Sequence, residues 1–293
     1  MARQRHLKTA CETLKLTTVP FHPWVVEMYV DDRLHYVYDL VPKVACTTWK
    51  SVLLELVART RNLTLPGKMA DIVTDLRVTD GILPRLVLFT DDERRRRLRD
   101  PNYFKFTFVR EPLERLVSAY ADKFGLRVNR YYAKVYGRQI LRRYRGANAT
   151  DEELETGMGV RFDEFVRYLL ETIATTPSNL LDTHWMPQHI LVQPCAVGYD
   201  VVGKFETLHE DAAEVLHAID GDKFVRFPAS SSEAVAATAD GDDRRRRLRN
   251  GNRTESKVRT AAMLATVPRD SVEKLRQLYA VDYQLFNYPD PLL

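Results

Sequence analysis

A lysine and two threonines are grouped in one short turn of this 293-residue chain. Residues 41–50 read VPKVACTTWK; a β-prone run, YVYDLV, ends at residue 41, and an amphipathic helical run begins at Ser51. A strand, a tight turn and a helix in that order can bind phosphate, because backbone N–H groups and the helix dipole at a helix N-terminus attract anions. We therefore predict an anion cradle from six consecutive residues that supply a cation, hydroxyls and backbone N–H groups: Lys43, Val44, Ala45, Cys46, Thr47 and Thr48.

Two other kinds of phosphate chemistry do not fit this turn. The GxxxxGK[ST] pattern of nucleoside triphosphatases and kinases is absent, since no glycine lies in the turn and Lys43 precedes it. A cysteine nucleophile of the phosphatase kind would need an arginine shortly after Cys46, and none follows. The turn is therefore predicted to hold an anion rather than to attack one.

A second segment supplies an arginine at the end of a strand. The run FKFTFV (104–109) is typical of a buried strand, and Arg110 follows it directly. Pro112 suits the first turn of a helix, where its missing N–H is not needed. Open α/β sheets bind ligands at the C-terminal ends of their strands. We therefore expect Arg110 at a ligand site, with Ser118 two helical turns further on.

The order of strands and helices predicts the architecture that positions these residues. We predict strands at 28–30, 36–41, 104–109 and 199–202, and helices at 1–25, 51–61, 90–99, 113–124, 131–144, 162–172, 210–219 and 271–280. This alternation favours an α/β fold with a central parallel sheet flanked by helices. Residues 229–252, rich in Ser, Ala, Asp and Arg, are predicted to form a flexible loop. Trp49 and Trp185 are expected to pack in the core.

The composition is that of a globular protein, and it bears on which partners the protein can bind. Apolar residues make up 45% of the chain and charged residues 29%, and a net charge of +4 gives no indication of a nucleic-acid partner. Arginines cluster in DDERRRRLR (91–99) and DDRRRRLR (242–249). We interpret both clusters as solvated surface, with polyanion binding as the alternative. No window approaches the roughly 18 apolar residues of a membrane span, and the N-terminus lacks the apolar core of a signal peptide.

Four motifs, in order, resemble one enzyme family. PKVACTTWK (42–50), FVREPLERLVSAY (108–120), YDVVGKFETL (199–208) and LYAVDYQLFNY (278–288) resemble segments of the Golgi carbohydrate sulfotransferases. The similar branch includes the chondroitin/dermatan 4-O, GalNAc 4-O and HNK-1 sulfotransferases. The His184-Trp185 pair, with Cys195 beyond it, also resembles the family in order and spacing. The resemblance implies a P-loop-like sulfotransferase fold for residues 28–290, preceded by a stem remnant at 1–27.

The resemblance further implies sulfuryl transfer from 3′-phosphoadenosine 5′-phosphosulfate (PAPS) to a sugar hydroxyl, without a metal. Lys43 and the rest of the cradle would hold the 5′-phosphosulfate, while Arg110 and Ser118 would hold the 3′-phosphate. The acceptor hydroxyl needs a base, for which His184 is favoured and Glu206 is the alternative. The implied acceptor is the 4-hydroxyl of GalNAc, in chondroitin/dermatan or in a GalNAc-terminated glycan.

The resemblance also implies a location. Members of the family are usually type II Golgi membrane proteins, so we expect the Golgi lumen, with membrane attachment only through an anchor missing from this chain. Three N-x-Thr sequons agree with a secretory route. With Cys46 in the turn, Cys11 and Cys195 remain as a possible disulfide. The alternative to an enzyme is a non-catalytic glycosaminoglycan-binding protein derived from a sulfotransferase.

Overall fold

The computed structural model describes residues 2–17, 27–125, 129–177, 181–228 and 253–289. The chain forms two compact units. The first contains residues 1–110, 188–251 and 285–287, and the second contains residues 111–187, 252–284 and 288–293. The loop predicted at 229–252 lies outside the described residues. Within the described ranges, no helix is both long and apolar enough to cross a membrane.

A four-stranded sheet forms the centre of the first unit. Its strands are β1 (Tyr29–Asp31), β2 (Tyr36–Asp39), β3 (Phe104–Val109) and β4 (Val201–Lys204), in that order across the sheet. β1 and β2 are antiparallel, whereas β2, β3 and β4 run parallel. β2 is buried along its whole length and β3 nearly so, as expected for parallel strands covered on both faces. The predicted α/β fold with a mostly parallel sheet is confirmed.

The α-helices of the described residues, in chain order, are α1 (Ala2–Thr13), α2 (Cys46–Arg61), α3 (Met69–Ile72), α4 (Leu76–Ile82), α5 (Asp91–Arg99), α6 (Pro112–Lys123), α7 (Arg130–Tyr132), α8 (Arg138–Tyr144), α9 (Asp151–Thr156), α10 (Phe162–Thr175), α11 (Gln188–Val192), α12 (Pro194–Val197), α13 (Leu208–Ala218), α14 (Arg253–Leu264), α15 (Arg269–Leu278) and α16 (Ala280–Leu285). A π-helical turn, Ala133–Gly137, joins α7 to α8. Helices α1–α5 and α11–α13 belong to the first unit, and α6–α10, α14 and α15 to the second.

Several element boundaries differ from those predicted. The N-terminal helix, predicted over 1–25, ends at Thr13. α2 begins at Cys46 rather than at residue 51, because Ala45 adopts a left-handed conformation that turns the chain directly into the helix. β4 begins at Val201 rather than at residue 199, because the Asp200 carboxylate accepts the backbone N–H of Lys105 just before the ladder starts. α16 follows the helix that was predicted to be the last one, since its buried residues continue the apolar pattern.

Aromatic side chains pack α2 against the sheet. The fully buried Trp49 ring lies 4.9 Å from Phe108 and 5.3 Å from Phe106, measured between ring centroids. Such aromatic pairs contribute about 0.5–1.5 kcal/mol each beyond the area they bury. In the second unit Trp185 is also buried, 5.4 Å from Phe165. The predicted core positions of both tryptophans are confirmed, and Trp49 fixes the first turn of α2 on the sheet.

A disulfide joins α1 to α12 within the first unit. Its partners are Cys11 and Cys195, whose Cα atoms lie 5.6 Å apart, so the pair predicted from the sequence is confirmed. Arg3 adds an ion pair between α1 and Asp211 of α13 at 2.5 Å. Cys46 keeps a free thiol at the start of α2. The N-terminal helix is therefore held to the first unit by a covalent bond as well as by charge.

Candidate active site

The anion cradle (residues 43–48) has a backbone conformation that is costly for the residues present. Lys43 has φ 70° and Ala45 has φ 55°, so two non-glycine residues adopt the left-handed region. Each costs about 1–2 kcal/mol relative to the right-handed conformation, and strain of this kind concentrates at functional sites. Lys43 and Thr48 are half-buried, and Thr47 is exposed. The strained turn thus leaves these three residues at least partly exposed.

The first turn of α2 presents backbone N–H groups that no side chain caps. Ala45 is the N-cap residue and offers no side-chain hydrogen bond. The N–H of Trp49 donates to the carbonyl oxygen of Ala45 at 3.0 Å, which closes the first helical turn. The N–H groups of Cys46, Thr47 and Thr48 precede that bond and face the helix end. With the dipole of a 16-residue helix behind them, they form an arrangement that attracts an anion.

Arg110 lies against this turn at the C-terminal end of β3. Its side chain is 4% exposed, and its Nη1 donates to the carbonyl oxygen of Lys43 at 3.3 Å. The guanidinium carbon lies 4.2 Å from the centroid of the Phe205 ring. Gln188 holds the backbone of Arg110 at both ends: its Oε1 accepts the Arg110 N–H at 2.9 Å, and its Nε2 donates to the Arg110 carbonyl at 2.8 Å. Arg110, which directly follows β3, therefore contacts the backbone of Lys43, which lies four residues beyond the end of β2.

A buried carboxyl lies four residues before Lys43. Asp39 ends β2, and its side chain contacts the hydroxyl of Tyr199, which is also 2.7 Å from the carbonyl oxygen of Val192. The Tyr199 hydroxyl shares its one proton between these two oxygens, and its donation to Asp39 opposes part of the effect of burial on the pKa of that carboxyl. Burial raises the pKa of Asp39 to about 7. The strand leading into the cradle thus ends in a buried carboxyl whose charged form is disfavoured by burial.

In the second unit, α6 carries Ser118 and organises the segment around His184. Ser118 is half-buried. One turn before it, Glu114 accepts a hydrogen bond from the buried Ser256 hydroxyl at 2.8 Å. Arg115, also on α6, donates to the carbonyl oxygens of Met186 at 2.8 Å and of Thr183 at 2.5 Å. These two carbonyls flank His184, so Ser118 and His184 are positioned by the same helix.

His184 has the geometry of a base oriented by a carboxylate. Its Nδ1 lies 2.8 Å from Oδ1 of Asp182, which also accepts the His184 backbone N–H at 2.9 Å. Burial lowers the pKa of His184 despite Asp182, so the ring is neutral at neutral pH. Nδ1 then donates to the carboxylate, and the lone pair resides on Nε2. Within the described part of the chain, Nε2 makes no hydrogen bond, which leaves it able to accept a proton.

Two tyrosines from the π-helical turn region complete this cluster. The Tyr132 hydroxyl lies 3.0 Å from Nδ1 of His184, and the Tyr136 hydroxyl donates to Oδ2 of Asp182 at 3.4 Å. The Tyr136 ring packs 5.1 Å from Trp185. Burial raises the pKa of both phenols, so they stay protonated. The Tyr136 hydroxyl donates to Asp182, whereas the Tyr132 oxygen can only accept from the protonated Nδ1 of His184. The π turn is a single-turn feature of the kind often found at functional sites.

The sequence patterns did not predict several of the residues that contact the candidate site. Gln188, Arg115 and the two tyrosines act through contacts between distant parts of the chain, which residue spacing does not encode. Asp182 is different, because a carboxylate two residues before a histidine fits a local Asx turn, and this signal could have identified it. Glu206, the alternative base, is half-buried in the 3-10 helix Phe205–Thr207 of the first unit.

The predicted site residues are thus distributed over both units. The first unit brings Lys43 and the cradle together with Arg110, and it also contains Glu206. The second unit contains Ser118 and His184. In the described ranges, no group of three or more His, Cys, Asp or Glu side chains could hold a metal ion. The first unit offers cations and helix N–H groups, and the second unit offers a neutral histidine.

Residues 26–289 match the Sulfotransferase family, and the chain therefore belongs to this family of sulfate-transferring enzymes. Among curated relatives, carbohydrate sulfotransferase 14 of Danio rerio is 37% identical over 89% of this chain and 62% of that protein. Carbohydrate sulfotransferase 8 of Mus musculus is 36% identical over 99% of this chain and 63% of that protein. Carbohydrate sulfotransferase 11 of Rattus norvegicus is 33% identical over 90% of this chain and 67% of that protein.

The chain spans about two thirds of the length of these relatives. All three are named as carbohydrate sulfotransferases, so the predicted family resemblance is confirmed. No solved structure matches the chain at a significant level.

Proposed function

We propose that the protein is a PAPS-dependent carbohydrate O-sulfotransferase. The observation that carries this proposal is the pair of cations in the segments that follow β2 and β3, beside the uncapped N-terminus of α2. Arg110 approaches the carbonyl oxygen of Lys43 at 3.3 Å, within a turn whose backbone is strained at two non-glycine residues. Such a combination of cations and N–H groups fits a ligand with two phosphate-like groups. Membership of the sulfotransferase family agrees with it.

In this proposal the cradle and Arg110 recognise the donor. PAPS supplies the sulfuryl group and leaves as adenosine 3′,5′-bisphosphate. Lys43 and the N–H groups of residues 46–48 neutralise the charge that develops on the 5′ side, where preorganised donors lower the barrier most. Arg110 and Ser118 hold the 3′-phosphate. Sulfuryl transfer requires that the reacting groups be oriented and that the developing charge be neutralised. In this proposal the protein's own side chains and backbone N–H groups do both.

The acceptor's proton goes to Nε2 of His184, which Asp182 and Tyr132 orient through Nδ1. We expect His184→Ala to lower the rate of sulfate transfer by about 100-fold or more, since a positioned general base contributes about 10²–10⁴-fold. Adenosine bisphosphate should still bind this variant. Glu206→Gln is the matched test of the alternative base, and a larger loss of transfer in Glu206→Gln than in His184→Ala would reverse the assignment.

The proposed acceptor is the 4-hydroxyl of GalNAc in chondroitin/dermatan or in a GalNAc-terminated glycan. The proposed location is the Golgi lumen. The Cys11–Cys195 disulfide supports a secretory compartment, because disulfides persist where the surroundings are oxidising. A transfer assay with GalNAc acceptors that carry or lack the 4-hydroxyl tests the acceptor, and equal transfer to both would reject the 4-position.

Thermal stabilisation by adenosine 3′,5′-bisphosphate tests the donor site. A ligand that binds only the folded state stabilises it by about 2.7 kcal/mol at 100 times its Kd. We expect the bisphosphate to raise the Tm and 5′-AMP to raise it much less. Arg110→Ala should lose the difference between the two nucleotides. Arg59→Ala, which removes an exposed arginine of α2 paired with Glu55, should keep it. No shift with the bisphosphate in a folded sample would reject the proposed function.

A further inference from the structure

Four cations follow one another at every fourth residue of the helical segment 130–144. They are Arg130, Lys134, Arg138 and Arg142, here called the basic stripe. In an unbroken α-helix, a four-residue spacing drifts by about 40° per step around the axis. The π turn at 133–137 has more residues per turn and reverses part of that drift. Three members of the stripe line one open cavity of about 500 Å³, which shows that they share a face.

The stripe is not neutralised by the protein. None of its four members forms an ion pair with a carboxylate in the part of the chain that the structure describes. Arg130, Lys134 and Arg142 are exposed, and the buried Nε of the half-buried Arg138 has no hydrogen-bond partner there. Several cations along one face raise the local potential and attract anions.

The arginine-rich helix α5 provides a contrast. Arg94 pairs with Asp91 at 2.9 Å, Arg95 pairs with Asp92 at 2.7 Å, and Arg97 donates to Asp32 at 2.8 Å. Most of this conspicuous run is therefore compensated locally. The spaced cations of the basic stripe carry more uncompensated charge than the consecutive arginines of α5.

The helical segment that bears the stripe also contacts the candidate base. Tyr132 and Tyr136, which lie between stripe positions, reach His184 and Asp182. Residues two apart on a helix are about 200° apart around its axis, so the tyrosines and the stripe occupy opposite sides. All of these residues belong to the second unit. A linear ligand bound along the basic stripe would therefore lie on the helical segment that positions His184.

The dimensions and charge of the stripe define its ligand. Twelve residues of helix span about 18 Å, long enough for several successive charges of a linear polyanion. Gln139 lines the same cavity and can hydrogen-bond to hydroxyls, and Tyr131 exposes 63% of its surface beside the stripe. The net charge of +4 is low for a nucleic-acid-binding protein. We propose that the basic stripe binds a linear acidic polysaccharide, which narrows the proposed acceptor to a chondroitin/dermatan-like chain and rests on the proposed function.

Binding of a fluorescent, unsulfated chondroitin chain to the full protein tests this proposal. The stripe variant combines Arg130→Gln, Lys134→Gln and Arg142→Gln, all at exposed positions. The control combines Arg59→Gln, Arg95→Gln and Arg167→Gln, which removes three cations that are paired with carboxylates. We expect the stripe variant to bind about tenfold or more weakly at 0.1 M salt, with a slope of log Kd against log salt reduced by about 2. The control should bind as the wild type does.

Three outcomes would overturn the proposal: unchanged binding by the stripe variant, an equal loss in the control, or stronger competition by single-stranded DNA than by chondroitin. Bisphosphate stabilisation of the same samples separates this proposal from the proposed function. Stripe-dependent chondroitin binding without bisphosphate binding would reject the enzyme and retain the polysaccharide site. If the stripe variant does not fold, hydrogen exchange of the wild type decides, since slower exchange at residues 130–144 with chondroitin supports the site and unchanged exchange rejects it.

Discussion

Asp39, at the end of the strand that leads into the anion cradle, makes the stability of the protein depend on pH. Burial raises its pKa from 3.8 to about 7, even though the hydrogen bond from Tyr199 favours the charged form. Because the pKa is higher in the folded than in the unfolded state, Asp39 contributes fully to stability below about pH 4. That contribution is lost as the pH rises to about 7. A shift of about three pH units corresponds to roughly 4 kcal/mol.

We predict that Asp39→Asn removes this dependence. The amide keeps the shape of the acid without a charge, so the variant should gain stability relative to the wild type as the pH rises from 4.5 to 8. Urea unfolding at a series of pH values measures the difference. Glu214→Gln, at an exposed helix position, is the control and should follow the wild-type curve. Parallel curves for the wild type and Asp39→Asn would contradict the assignment of a buried, neutral acid.

Two glycines let the helical segment 130–144 cross the chain at residue 157. Gly157 has φ 73°, and an added Cβ would lie 2.0 Å from the carbonyl oxygen of Ala133. At Gly137, an added Cβ would lie 2.1 Å from the carbonyl oxygen of Gly157. Both clashes are with backbone atoms, which cannot move aside as a side-chain end can. The π turn and its tyrosines therefore depend on this close approach.

Gly157→Ala is predicted to destabilise the protein by about 3 kcal/mol or more, since it adds a backbone clash to an unfavourable φ. Gly146→Ala is the matched control, because Gly146 also has a positive φ but has no atom within 4 Å of an added Cβ. It should cost about 1 kcal/mol. Chemical denaturation measures both values, and equal losses in the two variants would show that crowding at Gly157 is unimportant.

At the scale of helices and strands, local sequence patterns predicted most of the elements but not all of their boundaries. The apolar run 104–109 and Pro112 after it were sufficient to predict β3 and the start of α6, because strand burial and helix entry have local signatures. The start of α2 was predicted five residues too late, since no residue type announces that Ala45 is left-handed. The π turn was predicted as part of a continuous helix, because it depends on a distant glycine. The basic stripe was not predicted, because its charges are spaced four residues apart rather than consecutive.

At the scale of the whole chain, one covalent bond closes a loop of 184 residues between Cys11 and Cys195. In the chain-entropy treatment, such a bond destabilises the unfolded state by roughly 5 kcal/mol. We predict that the Cys11→Ser, Cys195→Ser double variant unfolds at lower urea concentration by a corresponding amount. Cys46→Ser, which removes the free thiol, should change stability little. If reductant destabilised the double variant as much as the wild type, the stabilisation would not come from this disulfide.

The order of the strands has a consequence for biosynthesis. β3 pairs with β2, which is made before it, and with β4, whose Val201 lies opposite Phe106. Ninety-five residues separate these two partners, so a ribosome needs roughly 5 to 20 s to make the second after the first. During that time the apolar run 104–109 has one edge without its native partner, and such an edge is open to pairing with other chains. The nascent protein should therefore depend on chaperones until residue 204 has emerged.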